Sequence, residues 1–210
     1  TNYEKKGQTM KEISRRDFLK LAALSPLGLL PPEREPRSRQ TLGLYLPFRF
    51  LAREKFMADF LDLTLRSGAN TLVVDIKDEH GIINVPLDHA YMPRGIFEYP
   101  NYRGLMNLLD WARENKISLI ARQVVMVDPA LTKAFPELGL HDWAGRLWKD
   151  ANGIAWANPY DERVVDYNAA IAASAASLGF SQVQFDYVRF PSGEHDLGSI
   201  FYDKKNTFEN

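Results

Sequence analysis

The chain has 210 residues, long enough for one domain with a core of its own. Its 26 basic and 27 acidic residues leave a formal charge of −1, which argues against nucleic acid or an anionic membrane surface as the main partner. The chain contains no cysteine, so disulfides, cysteine–zinc sites and thiol nucleophiles are excluded.

Near the amino terminus, Ser14-Arg15-Arg16-Asp17-Phe18-Leu19-Lys20 precedes an apolar run from Leu21 to Leu30. A basic region followed by a short apolar stretch has the layout of a signal peptide, and the run is too short to span a bilayer. The paired arginines, the following Phe-Leu and the lysine resemble the bacterial twin-arginine signal. Residues 1–30 are therefore expected to be read by the twin-arginine translocase. The product is expected in the periplasm, on the cell surface or outside the cell. Pro31 to Gln40 is polar and proline-rich and is expected to be a linker. No other segment is long and apolar enough to form a stable membrane span.

Four short apolar runs with strand character follow, at Leu42 to Leu46, Thr71 to Ile76, Ile117 to Val127 and Gln182 to Phe190. Helical periodicity separates them. Arg53 to Ser67 places Phe56, Phe60 and Leu63 on one stripe, and Gly68 stands where a helix would stop. Tyr102 to Asn115 repeats the pattern with Leu105, Leu108, Leu109 and Ala112, and Asp161 to Leu178 with Val164, Tyr167 and Ile171 before Gly179. Strands alternating with helices imply parallel pairing and an α/β class.

The joints are uneven. Those from helix to strand are very short, whereas two from strand to helix are long, at about Lys77 to Asn101 and Asp128 to Tyr160. Loops elaborated only at the carboxyl ends of parallel strands suit a β/α-barrel with its active site at that end. No glycine-rich phosphate loop follows the first strand, which ends Leu46-Pro47-Phe48. Four strands do not close an eight-stranded barrel. Residues 41–210 are accordingly expected to be the amino-terminal half of a TIM barrel, with about the first four β/α units.

Side chains alternate across a strand. In the fourth run Gln182, Gln184 and Asp186 share one face, and Val183, Phe185 and Tyr187 the other. The apolar face should meet the helices, which turns Asp186 inward. By the same logic Val73, Asp75 and Lys77 oppose Leu72, Val74 and Ile76, and Arg122 lies between Ile120 and Val124. Asp75, Arg122 and Asp186 should then converge at one end of the barrel, the arginine offsetting the cost of burying the carboxylates. Glycoside hydrolysis needs two carboxyl groups in opposite roles, one ionised and one protonated. Asp186 is the candidate for the ionised partner. The alternative is an ion-pair network with no chemistry.

The second long loop carries Trp143, Trp148, Trp156 and Tyr160 among Asp142, Asp150, Asn152 and Asn158. Aromatic faces suit the C–H faces of sugar rings, and amides and carboxylates suit their hydroxyls. The same tryptophans could instead form a small core under the loop. The substrate-binding candidates are Tyr45, Lys77, Trp143, Trp148, Trp156 and Arg189. His80, His89, His141 and His195 show no paired ligand spacing, so no metal is expected, and no cofactor motif is present. A Ser-His-Asp triad lacks its G-x-S-x-G elbow.

The strings VVDIKDEHG (Val73 to Gly81), IARQVVMVDP (Ile120 to Pro129), GRLWKDANGIAWANPYDERVVDYN (Gly145 to Asn168) and GFSQVQFDYVRFPSG (Gly179 to Gly193) occur in that order. They resemble a family of glycoside-hydrolase-like domains whose fold is a TIM barrel distantly related to the α-amylase group. The resemblance covers about Thr41 to Gly193. It implies an exported or surface enzyme that acts on a polysaccharide or oligosaccharide. In the related barrels the aspartate ending the fourth strand is the nucleophile, and Asp186 in FDYVRFP matches it. Their general acid follows a fifth strand, which is expected to lie beyond this chain. The other expectation is a non-catalytic exported module that binds carbohydrate or the cell wall through the same aromatic loops.

Overall fold

A computed structural model describes residues 40–95, 99–192 and 197–201. The twin-arginine segment, and the linker up to residue 39, lie outside the described residues. Every described element belongs to the unit Thr41–Asn210.

The first strand, β1 (Gly43–Leu46), runs through a 3₁₀ turn at Phe48–Phe50 into helix α1 (Glu54–Arg66). Strand β2 (Thr71–Lys77), helix α2 (Tyr99–Asn115) and strand β3 (Ser118–Val124) follow. A short helix, α3 (Pro129–Ala134), interrupts the next loop before helix α4 (Glu162–Leu178) and strand β4 (Gln182–Asp186). The strands form one sheet in the order β1-β2-β3-β4, and every pair is parallel. This is the expected α/β fold, with about four units of a β/α-barrel.

Alternation explains how the sheet seats its helices. Leu46, Leu72, Val74 and Ala121 are fully buried, and Leu119 nearly so. They meet Leu105, Leu108, Val164 and Ile171 in one core cluster. Burying each large aliphatic side chain contributes about 1.5–3 kcal/mol. The opposite face is far more open: Tyr45 and Gln184 are exposed, and Val73, Ile120 and Arg122 are half-buried. Strand β4 is an edge, and even on its helix side Phe185 stays 51% exposed.

Helix ends follow their sequence signals. The Asp161 carboxylate caps α4 by accepting from the Arg163 amide at 2.9 Å. Gly179 ends the same helix at φ 108°, a left-handed conformation that glycine adopts without a Cβ penalty. Helix α3 was not among the expected elements. Its cues are short ones: Asp128 accepts from the Leu131 amide at 2.8 Å, and Pro129 opens the first turn.

Candidate functional site

The two long loops leave the carboxyl ends of β2 and β3. The second is a compact structure of its own. Antiparallel bridges join Val127 to Trp156, Gly139 to Ala157, His141 to Leu147 and Lys149 to Ala155. The first approaches it closely at Gly81 (φ +78°), where an added Cβ would run into Asp128 Oδ1 and Ala130. Both loops therefore stand over one end of the sheet.

At that end Asp75, Arg122 and Asp186 meet. Arg122 Nη1 donates to Asp75 Oδ1 at 2.8 Å. Its Nε and Nη2 donate to Asp186 Oδ2 at 2.9 and 2.6 Å. Tyr45 adds its hydroxyl, which donates to Asp75 Oδ2 at 2.6 Å, while the Arg122 guanidinium lies 5.8 Å from its ring centroid. Register explains the convergence, since Tyr45 pairs with Val73, Asp75 with Arg122, and Gln184 with Arg122 from the other side.

The members differ in access. The Asp75 side chain is 5% exposed and that of Asp186 is 38%. Both Asp75 oxygens are committed, one to Arg122 and one to Tyr45. Asp186 receives its arginine on one oxygen, and the other accepts from the Tyr187 amide at 2.8 Å. Tyr187 holds φ 54°, a sparsely populated conformation for a non-glycine residue, of the sort that clusters at functional sites. Burial draws the Arg122 guanidinium down, but its bonds to Asp75 and Asp186 outweigh this and leave it above the usual arginine range. Burial first, and then the Asp75 bond, pushes the Tyr45 phenol up to about 12.

Lys77 departs from expectation. It is fully buried and faces the helix layer, away from Asp75. The register steps from Asp75 opposite Arg122 to Lys77 opposite Gln123, so Ile76 is an extra residue and the alternation flips. Lys77 Nζ lies 2.6 Å from Asp128 Oδ2, with neither side chain exposed, and also donates to Asn168 Oδ1 at 3.2 Å. Its reading as a substrate-binding residue is therefore corrected to that of a buried ion pair tying β2 to the second loop and α4.

The tryptophans divide. Trp148 and Trp156 are 5% and 4% exposed, and their ring N–H groups are bonded to Ser199 Oγ and Asp150 Oδ2. They form the core of the loop, which corrects their reading as open sugar platforms. Trp143 is 68% exposed, donates from Nε1 to the Gly198 carbonyl and packs edge-on against Phe201. Arg189 is exposed and lies against the rings of Trp156 and Tyr187, 5.4 and 5.3 Å from their centroids. The sequence places Tyr187 with Val183 and Phe185 on the apolar face of the fourth strand and gives it no part in the site; its left-handed conformation becomes visible only in the folded chain.

Among the described residues, no group of three His, Cys, Asp or Glu side chains could hold a metal ion. Asp78, just past the end of β2, accepts at its Oδ1 from the His80 and Ile82 amides. Also among the described residues, no helix is long and apolar enough to cross a membrane.

A family model described as "Putative glycosyl hydrolase domain" matches residues 43–210. The chain is similar to a hypothetical protein from Ruminiclostridium thermocellum ATCC 27405, at 27% identity and a TM-score of 0.67, over 78% of this chain and 83% of that one. It also shares its fold with α-L-fucosidase isoenzyme 2 from Paenibacillus thiaminolyticus, at 16% identity and a TM-score of 0.54, over 70% of this chain. A noncanonic maltogenic α-amylase from Thermotoga neapolitana matches at 13% identity and a TM-score of 0.53, over 72% of this chain. The match spans only 23% of the fucosidase chain and 40% of the amylase chain. No curated protein matches the chain.

Proposed function

The chain belongs to this family of glycosyl hydrolase domains, and from that premise we propose that it supplies the nucleophilic half of the active site of an exported enzyme that cleaves glycosidic bonds of a polysaccharide. One observation carries the reading. Asp186 ends β4 on the open face of the sheet, fixed by Arg122 and by its own neighbour's amide, and its side chain is still 38% exposed.

In this role the exposed edge of the Asp186 carboxylate, at Oδ1 beside the Tyr187 amide, faces the anomeric carbon of a bound sugar. It attacks that carbon, or removes a proton from the water that does, as the bond to the leaving oxygen breaks. The leaving oxygen takes its proton from a general acid outside these four strands. Arg122 acts as a positioning residue. It holds Asp186 in one rotamer at no cost in reorganisation during the reaction. Asp75, with both oxygens committed and little exposure, positions Arg122 and does not touch the sugar. Tyr45 lines the open face beside Arg122 and Gln184, where a sugar would lie. Export by the twin-arginine route would place this chemistry outside the cytoplasm, where polysaccharide is met.

A non-catalytic carbohydrate-binding role rests on a different observation, the exposed ring of Trp143. The two readings part on turnover. The whole gene product should release reducing ends from at least one α- or β-linked polysaccharide. Tight binding with no release from any substrate would favour the binding module. A folded protein that neither binds nor cleaves any glycan would overturn both.

A further inference from the structure

Arg189 stands three residues beyond Asp186 and takes no part in the Asp75–Arg122–Asp186 network. Arg66, Arg113, Arg122, Arg146 and Arg163 each meet a carboxylate within 2.8 Å. Arg189 meets none among the described residues. It is nevertheless firmly held. Its Nη1 donates to the Phe190 carbonyl at 3.1 Å and to Ser192 Oγ at 2.7 Å. Its guanidinium packs on two rings that touch each other edge to face, with centroids 6.2 Å apart. One of these, Trp156, is buried and bonded to Asp150. The other, Tyr187, is the residue after Asp186.

A surface arginine ordinarily keeps its rotamer freedom. Restraining one on two aromatic faces, with Nη1 alone hydrogen-bonded among the described residues, holds the remaining N–H edge in a fixed direction against the ring of Tyr187, the residue that follows Asp186. A planar guanidinium edge matches the paired oxygens of a carboxylate or sulfate, and restraint before binding lowers the entropy lost on capture. We propose that the glycan bound here is anionic, and that Arg189 pairs with a uronic-acid carboxylate or a sulfate ester on a sugar next to the cleaved bond. The proposal rests on the site being a carbohydrate site.

The test measures binding of the full chain to matched glycans that differ only in charge. One pair is polygalacturonate and its methyl ester, and the other is a sulfated galactan and its desulfated form. The charged member of one pair should bind about tenfold or more tighter than its neutral partner, the scale of a charge-assisted bond. Which pair shows the preference identifies the anion. Arg189→Gln should remove the preference, and Arg189→Lys should keep only part of it. The preference of the unaltered chain should also weaken as salt is raised. Should Arg189→Gln fail to fold, the charged-to-neutral ratio and its salt dependence in the unaltered chain decide. Equal or tighter binding of the neutral members overturns the proposal and leaves the carbohydrate site standing, as does a preference that survives in folded Arg189→Gln. Failure to bind any glycan, neutral ones included, sinks the carbohydrate reading and the proposal with it.

Discussion

Arg122 places both Nε and Nη2 on a single oxygen of Asp186, Oδ2, and leaves Oδ1 to the Tyr187 amide. The carboxylate is thus held from two directions, by a side chain on the neighbouring strand and by its own backbone. A group that only balanced charge in a core would gain little from the exposure it keeps. The same guanidinium reaches Asp75, which in turn accepts from Tyr45, so that residues of all four strands are coupled in one chain of bonds.

That coupling should be visible in the titration of Tyr45. Its phenol is pushed up to about 12, by burial first and by the Asp75 bond second. In the unfolded chain it ionises near its usual value of 10.0. Between those values the folded state holds the proton and the unfolded state does not, so stability falls as pH rises through this window. Phenolate absorbance should show Tyr45 titrating late beside the buried Tyr167, whose phenol burial also pushes well up, and Tyr45→Phe should remove one of the late-titrating groups and leave the other. Asp75→Asn should bring the Tyr45 phenol part of the way back, because the contribution of burial remains. An unchanged titration in Asp75→Asn would show that the hydroxyl is not bonded to Asp75.

Lys77 and Asp128 make a structural pair, and their substitution should affect stability. Lys77→Met leaves the Asp128 carboxylate buried without its counter-ion, at a cost of about 3–5 kcal/mol. The double variant Lys77→Met with Asp128→Asn should recover part of this, since the amide oxygen can still cap α3. Denaturant melts of the two variants measure the difference. Lys77→Met with normal stability and weakened glycan binding would return Lys77 to the substrate site.

These residues also mark how far the sequence could be read. The alternation of Leu72 and Val74 against Val73 and Asp75, and the glycine at 179, follow local rules that the fold obeys. Asp75, Arg122 and Asp186 could be brought together because each lies on a regular stretch of strand. Lys77 could not be placed, because one extra residue at Ile76 reverses the alternation and no local pattern announces a bulge. Trp148 and Trp156 were ambiguous for a different reason. Their burial depends on Ser199 and on bridges closed across the loop, which are long-range contacts. The short helix α3 was hidden because six residues carry too little periodicity.

Trp143 should account for part of any glycan affinity. It is 68% exposed, unlike Trp148 and Trp156. Trp143→Ala should weaken binding by about 1 kcal/mol while leaving the melting temperature nearly unchanged, in the range of aromatic contacts. The same change at Trp156 should instead cost about 3–5 kcal/mol of stability, as for a large core side chain. Calorimetric titration and melts on both variants separate the roles. Unaltered binding in Trp143→Ala removes this ring from the sugar site.

Export can be tested without reference to the fold. Replacing Arg15 and Arg16 by lysines keeps the charge but removes the pair that the twin-arginine translocase reads. The variant should accumulate in the cytoplasm, as should the unaltered protein in cells lacking that translocase. Undiminished export in either case would refute the signal assignment.

The sharpest prediction concerns Asp186. Asp186→Asn keeps the shape of the side chain, and its Oδ1 can still accept from the Tyr187 amide. It removes the charge that meets Arg122, and with it the nucleophile or base. In the whole gene product turnover should fall by orders of magnitude, with glycan affinity nearly unchanged, because the lost interaction belongs to the transition state. Stability should fall less than on breaking a fully buried pair, since Arg122 keeps Asp75 at 2.8 Å and the Asp186 side chain is 38% exposed. An ion-pair network without chemistry predicts the opposite pattern. There the melting temperature drops, and turnover declines only as folded protein is lost. Measuring both on one preparation separates the cases, and Arg122→Lys sharpens the comparison. Lysine retains the charge but cannot place two donors on Oδ2 while reaching Asp75, so a positioning role predicts a loss in kcat greater than any change in KM. A folded Asp186→Asn protein with near-normal turnover would end the assignment of Asp186 as the nucleophile.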